Sequence, residues 1–266
     1  MPRILRLNGR YYRTIPMAKP GYEEEALQLD ADGTAFASVH CWNVGCPENP
    51  LKDEYWVDMG FKQTHEEAHR IERDFIRPAL DAARRARILV CHVQTESIAK
   101  KYPQNLVILE GETAVPISHS VKPAIVGYRE SILERNHGKD YATMSPLNNL
   151  DFPKDLAPMM GEPVIYSTMQ LDHVLRKRGI VNIIYSGFAA DMCLLNAPGA
   201  MAPMSELGYR VLLMREGTLG IEMPDWGEDK IATRWATRFV ETHYGDTIGF
   251  SDFISGCASI SNESKR

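Results

Sequence analysis

The sequence predicts a three-layer α/β protein: a doubly wound, mostly parallel sheet with helices on both faces. Three observations carry this. The runs Thr34 to Val39, Ile88 to Val93 and Val181 to Ser186 are short, rich in β-branched and aromatic residues, and bounded by polar or glycine-containing turns, as buried strands are. Segments between them place apolar residues at helical spacing. Strand and helix alternate along most of the chain, which is the order that builds crossover units. In such sheets the active site lies at the carboxyl ends of the strands.

The 266 residues suffice for one large α/β domain or at most two small ones, and a 44% hydrophobic content is ordinary for a packed core. A formal charge of -5 and the absence of a long basic block argue against nucleic acid or an anionic membrane as partner. Small neutral or cationic molecules suit this balance better, and no cofactor is expected. Five cysteines, Cys41, Cys46, Cys91, Cys193 and Cys257, are odd in number and lack CxxC spacing, so neither a disulfide framework nor a zinc knuckle is suggested. A reducing cytoplasm is the simplest compartment. The N-terminus lacks an apolar core of signal-peptide length and no later stretch is long enough to span a bilayer, so a soluble intracellular protein is expected.

In chain order, Ile4 to Leu7 and Tyr11 to Thr14 flank Asn8-Gly9, a favoured pair for a two-residue type I′ turn, which predicts an opening β-hairpin. The acidic stretch Tyr22 to Glu25 leads to the strand Thr34 to Val39, followed by His40-Cys41-Trp42-Asn43. Thr64 and Glu67 are spaced as a capping box for a helix that carries Ala68, Ile71, Phe75 and Leu80 at core spacing. Within it, His65-Glu66-Glu67-Ala68-His69 fits the HExxH pattern of zinc sites, but no clear third ligand follows. Two surface histidines on the first turn are the alternative, and no metal is expected.

From Gln94 to Leu156 the alternation weakens, with short strands predicted at 107–109 and 124–128 and a helical turn from Arg129 to Arg135. Order resumes with Val164 to Thr168 running into a helix through Gly179. After the strand Val181 to Ser186, Gly187 breaks the chain direction and Asp191 stands where a helix would be capped, so Cys193 falls in the first helical turn. Unpaired N–H groups and the helix dipole there favour a thiolate and can receive an oxyanion. A small buried hydrophobe is the alternative reading of a lone cysteine. Pro198, Gly199 and Pro203 predict a break soon after this turn. A strand at 211–214, an amphipathic helix from Asp229 to His243, a closing strand near Thr247 and a polar tail from Ser259 complete the chain.

Gly187 to Cys193, the helix after it, Leu207-Gly208-Tyr209-Arg210-Val211 and Glu216 resemble the nucleophile segment of the isochorismatase-like cysteine hydrolases, which include nicotinamidases and N-carbamoylsarcosine amidohydrolases. Ala190 stands where that family usually has threonine. The segment from Leu171 to Ile180 is similar to the family's Leu-Asp-x-x-Leu-Arg-x-x-Gly-Ile helix, and the likeness covers roughly residues 34 to 93 and 161 to 254. It implies a single domain over 1–266, with 1–30 an N-terminal extension and 94–156 an insertion or lid. It also implies Cys193 as nucleophile, an oxyanion hole from the N–H groups of Ala189 and Cys193, a cis Phe188–Ala189 peptide, and a homo-oligomer.

Two departures stand out. His40 replaces the family's general-base aspartate; at its ordinary pKa near 6.5 it could serve the thiol, or it is a satisfied core histidine. No lysine occupies the link at 166–168 where the family carries one, and Lys122 and Lys154 are the nearest candidates. Trp42 and Asn43 either line the substrate pocket or pack the core. The function implied is a cysteine-dependent hydrolase of a small amide, imide or ureido C–N bond through a thioester. The alternative is a catalytically inactive or repurposed relative that binds a small ligand or serves as an oligomer subunit.

Overall fold

The computed structural model describes residues 2–51, 62–112, 125–226 and 229–263. One eight-stranded sheet, in the order β2-β1-β8-β7-β6-β3-β4-β5, organises the chain. Its strands are β1 (Ile4–Arg13), β2 (Gly21–Asp30), β3 (Thr34–Val39), β4 (Leu89–Val93), β5 (Val164–Ile165), β6 (Asn182–Phe188), β7 (Arg210–Leu219) and β8 (Asp246–Ile248). From β8 to β5 every neighbouring pair is parallel, and β1 closes one edge by pairing antiparallel with β8 and with β2. The helices are α1 (Lys62–Ile71), α2 (Arg77–Arg85), α3 (Glu96–Ala99), α4 (Tyr128–His137), α5 (Tyr141–Met144), α6 (Thr168–Lys177), α7 (Cys193–Asn196), α8 (Met201–Glu206), α9 (Ile231–His243) and α10 (Phe250–Glu263). Among the described residues no helix is long and apolar enough to cross a membrane.

Every residue of β3 and β6 is buried, because helices cover both faces. Alternate side chains sort between two cores. Phe36, Ile184 and Leu212 point to the side packed by Ile76, by Leu80 of α2 and by Phe253 and Ile260 of α10. Ala35, Ala37, Ile183 and Tyr185 point to the other, filled by Leu171 and Leu175 of α6, Met201 and Met204 of α8, and Val240 of α9. The doubly wound prediction is therefore the observed architecture.

Several local expectations are corrected. Asn8 and Gly9 lie inside β1, paired with Ala26 and Glu25, and the hairpin turns at residues 14–20 instead. The longer ladder buries Leu27 and Leu29 against Leu5 and Leu7, which outweighs the local turn preference. Thr64 is an interior residue of α1 rather than its cap, and its hydroxyl donates to the Glu222 carbonyl oxygen at 3.3 Å. A π-helical turn, Glu72–Ile76, joins α1 to α2. Pro78 accounts for it, since a proline has no N–H and crowds the carbonyl four residues earlier.

The predicted strand at 107–109 is reduced to a single bridge between Leu106 and Val164. The strand predicted at 124–128 is not found: residue 124 lies outside the described residues, 125–127 form a turn and Tyr128 opens α4, within which the predicted helical turn from Arg129 also falls. The expected polar tail from Ser259 is instead the last part of α10, anchored by the buried Cys257 and Ile260.

Consecutive strands β3, β4 and β5 extend the sheet in one direction, whereas β6, β7 and β8 extend it from the opposite side of β3. The order therefore reverses between β3 and β6. In sheets of this type such a reversal marks, at the carboxyl ends of the strands, the place where ligands bind.

Candidate active site at the carboxyl edge of the sheet

Both sequence-predicted reactive residues follow the two strands at this reversal. Val39 pairs with Gly187, so His40 leaves the sheet beside the Phe188–Ala189 peptide. Gly187 is required there: its φ is 120°, and a Cβ would stand 2.0 Å from the Val39 carbonyl oxygen. The Phe188–Ala189 peptide that follows is cis, as the resemblance implies.

The end of β7 braces this turn. Ala190 N–H donates to Leu219 O at 2.9 Å, the Thr218 hydroxyl to Gly187 O at 2.7 Å, and the Ser186 hydroxyl to Gly217 O at 2.7 Å. Asp191 is not the helix cap. Its carboxylate accepts from Ile221 N–H at 3.0 Å, and Met192 occupies the cap position without a side-chain bond. As predicted, the helix breaks early: α7 spans four residues, and α8 begins only after Pro198 and Gly199.

Ala189 O accepts from Met192 N–H at 3.0 Å and from Leu194 N–H at 3.1 Å. Among the described residues no backbone carbonyl accepts from the N–H groups of Ala189 and Cys193. The Cys193 thiol is half-buried; burial pushes its pKa up, the Ala189 N–H pulls it down, and the Asp191 carboxylate raises it again. The expected dipole-stabilised thiolate is therefore not the resting form. A single helical turn sums few peptide dipoles, and desolvation of the charged sulfur outweighs them.

His40 has a left-handed backbone, φ 45°, held by its N–H donating to Val93 O at 3.0 Å. It is 8% exposed, and burial pushes its imidazole down to about 4 rather than leaving it near neutrality. Its Nδ1 has no hydrogen-bond partner among the described residues, and no hydrogen bond joins it to Cys193. Its ring stacks on Trp42, with centroids 4.8 Å apart and planes at 21°. At neutral pH the pair is thus a thiol and a neutral imidazole.

Trp42 donates its indole N–H to Gln94 Oε1 at 2.9 Å, and Gln94 Nε2 donates to Cys41 O at 3.4 Å. The Asn43 side-chain oxygen is engaged: Asp151 N–H donates to it at 3.0 Å and Asn49 Nδ2 at 3.4 Å. Asn43 N–H donates in turn to Asp151 O at 2.9 Å, so this residue ties the loop after β3 to segment 94–156.

Sequence reasoning missed Gln94 and Tyr166, which directly follow β4 and β5 and so stand on the same edge. Strand ends alone could have marked them. It also missed Lys101, whose Nζ donates to Leu150 O at 2.6 Å and pairs with the Asp151 carboxylate at 3.2 Å. Of the lysines considered, Lys122 lies outside the described residues and Lys154 borders a different cavity, beside Cys46 and His69.

The histidines of the HExxH pattern are not surface residues. His65 is 3% exposed, and His69 is bonded through Nδ1 to Glu72 at 2.8 Å and through Nε2 to Val44 O at 2.7 Å. Among the described residues no three His, Cys, Asp or Glu side chains are arranged to hold a metal ion.

Neither the comparison with protein-family models nor that with curated proteins finds a match to the sequence. Solved structures do match the fold. A cysteine hydrolase from Pseudomonas syringae pv. phaseolicola superposes with a TM-score of 0.55 at 16% identity, over 87% of this chain and 95% of that one. An isochorismatase-family protein from Chromobacterium violaceum superposes with a TM-score of 0.50 at 14% identity, over 88% and 97%. With its sheet order, its reversal between β3 and β6 and its cis-peptide turn after β6, the chain has the fold of the isochorismatase-like cysteine hydrolases.

Proposed function

We propose that this protein is a cysteine-dependent hydrolase of a small amide, imide or ureido C–N bond, acting through a thioester on Cys193. The observation that carries the reading is the pair of N–H groups, from Ala189 and Cys193, left without carbonyl acceptors among the described residues, beside a thiol at the sheet's reversal point. A substrate carbonyl oxygen accepted by both would have its carbon presented to Sγ, and the donors would hold the oxyanion that forms. The fold shared with a protein described as a cysteine hydrolase supports the same assignment.

The proton of Cys193 passes to His40 as sulfur attacks, and from His40 to the departing nitrogen. Water then opens the thioester with His40 as base. An imidazole at about 4 is a weak base for a thiol raised above its ordinary value. Moving the proton alone is uphill, so transfer must accompany attack on a bound carbonyl. The oxyanion donors offset part of this, at about 3 kcal/mol each. The end of β4 brings Gln94 to this edge, and Asp151 fixes the Asn43 loop beside it.

The second reading, a catalytically silent ligand-binding relative, is favoured by the missing Cys193–His40 hydrogen bond and by the lack of a lysine at 166–168. Ammonia release from a panel of small amides, imides and ureido compounds separates the two. A hydrolase releases ammonia from at least one compound, and Cys193→Ala lowers the rate by about 1,000-fold or more. Undiminished release by folded Cys193→Ala would overturn the assignment. Tight binding of a panel member without turnover would establish the silent reading.

A further inference from the structure

The loop after β3 and the helix α1 bring a second thiol against a histidine and a carboxylate, away from the turn that carries Cys193. Cys46 Sγ lies 3.8 Å from His69 Nδ1 and 3.9 Å from His69 Nε2. Each ring nitrogen also faces an oxygen acceptor, Glu72 Oε2 at 2.8 Å and Val44 O at 2.7 Å. A neutral imidazole has only one N–H to give, so acceptors on both sides hold the ring as imidazolium. The neighbouring Cys46 sulfur and the buried Glu72 carboxylate push His69 up to about 10, in keeping with this geometry. Gly45 makes the approach possible: its φ is 87°, and a Cβ there would stand 3.0 Å from His69 Nε2.

These groups line a cavity of about 440 Å³ whose rim includes Arg73, Arg77 and Lys154. That volume is in the range of small-molecule sites, and its charged rim suits a polar or zwitterionic guest. Among the described residues the other four thiols have no such partner. Cys41, Cys91 and Cys257 are buried, with Cys91 and Cys257 pushed up to about 12, and burial raises Cys193 as well.

We propose that Cys46 is a modification site, at which the sulfur paired with the His69 imidazolium exchanges with a low-molecular-weight disulfide admitted by this cavity. Cys46 attacks as the thiolate: a bond forms from Sγ to one disulfide sulfur, the original S–S bond breaks, and the second sulfur leaves as a thiolate that takes a proton from water. The disulfide is the oxidant, and no other redox partner is needed. The reaction is independent of Cys193 chemistry.

The test exposes the whole protein to oxidised glutathione at pH 7, quenches with acid at intervals, and maps mixed disulfides by peptide mass. The glutathionyl adduct is expected on the Cys46 peptide at least about tenfold faster than on Cys193 or Cys257, and to be reversed by a reductant. Cys46→Ser removes the fast adduct. His69→Gln, with folding checked by thermal melting, slows it by about tenfold or more while Cys46 remains. Should His69→Gln fail to fold, the ratio of Cys46 to Cys193 labelling in wild type decides alone. First labelling at Cys193 or Cys257, or an unchanged rate in folded His69→Gln, overturns the proposal.

Discussion

The pH dependence of stability offers a sharp check on the environment assigned to His40. The folded protein holds this imidazole at about 4 with 8% of the residue exposed, whereas an unfolded chain titrates it near ~6.5. Between these values the unfolded state binds a proton that the folded state does not. Stability from His40 is therefore complete above about pH 6.5 and is lost as pH falls toward 4. The gap of roughly 2.5 units corresponds to roughly 3 kcal/mol.

Urea unfolding of wild type and His40→Gln at half-unit steps from pH 4 to 8 isolates this contribution. Glu67 and Glu162, held at about 2 in the fold, and the buried His92, also pushed down, titrate in both proteins and cancel in the difference. The stability of wild type relative to the variant should climb by roughly 3 kcal/mol across the window and be flat above pH 7. Parallel curves would refute the argument, because they would mean that His40 is solvated and able to charge in the folded state.

His69 should behave in the opposite sense. Raised to about 10, it contributes stability that is complete below its unfolded value and lost as pH rises toward 10, visible as a falling wild-type advantage over His69→Gln above pH 6.5. Gly187→Ala drives a methyl group into the Val39 carbonyl at a left-handed φ and should cost at least about 3 kcal/mol in urea unfolding. A loss under about 1 kcal/mol would show that β3 can move aside. Tyr185→Phe removes the bond from the buried hydroxyl to Gly199 O, 2.9 Å, and should cost about 1–2 kcal/mol by the same assay. Ser167→Ala deletes the side-chain cap that accepts from Gln170 N–H and should cost about 1 kcal/mol in Tm-derived stability.

The fold was legible where burial is continuous. Thr34 to Val39 and Val181 to Ser186 read as central strands because both faces are covered, so no polar alternation interrupts them. The early helix break after Cys193 was legible from Pro198 and Gly199. What misled were local signals overruled by pairing and packing at longer range. Asn8-Gly9 carries a turn preference that the ten-residue ladder with β2 overrides, and Ser259 to Glu263 reads as a tail because Ile260 alone among its neighbours reports the packing of α10.

At the site, the position of Cys193 was readable from strand, glycine and short helix, but its protonation was not. Desolvation depends on neighbours far apart in sequence, which also explains why His40 sits near 4 instead of 6.5. Asp191 was misread as a cap for the same reason, since its partner is the N–H of Ile221, thirty positions away. The Cys46–His69–Glu72 cluster escaped notice because the HExxH spacing drew attention to a metal and away from the thiol in the preceding loop.

The central claim, that Cys193 forms a thioester, is tested most directly by intact-protein and peptide mass spectrometry of acid-quenched reactions with whichever panel compound is turned over. A transient acyl adduct is expected on the peptide containing Cys193, labile to hydroxylamine and absent from Cys193→Ala. Ammonia release that continues in Cys193→Ala, with no adduct on that peptide in wild type, would contradict it.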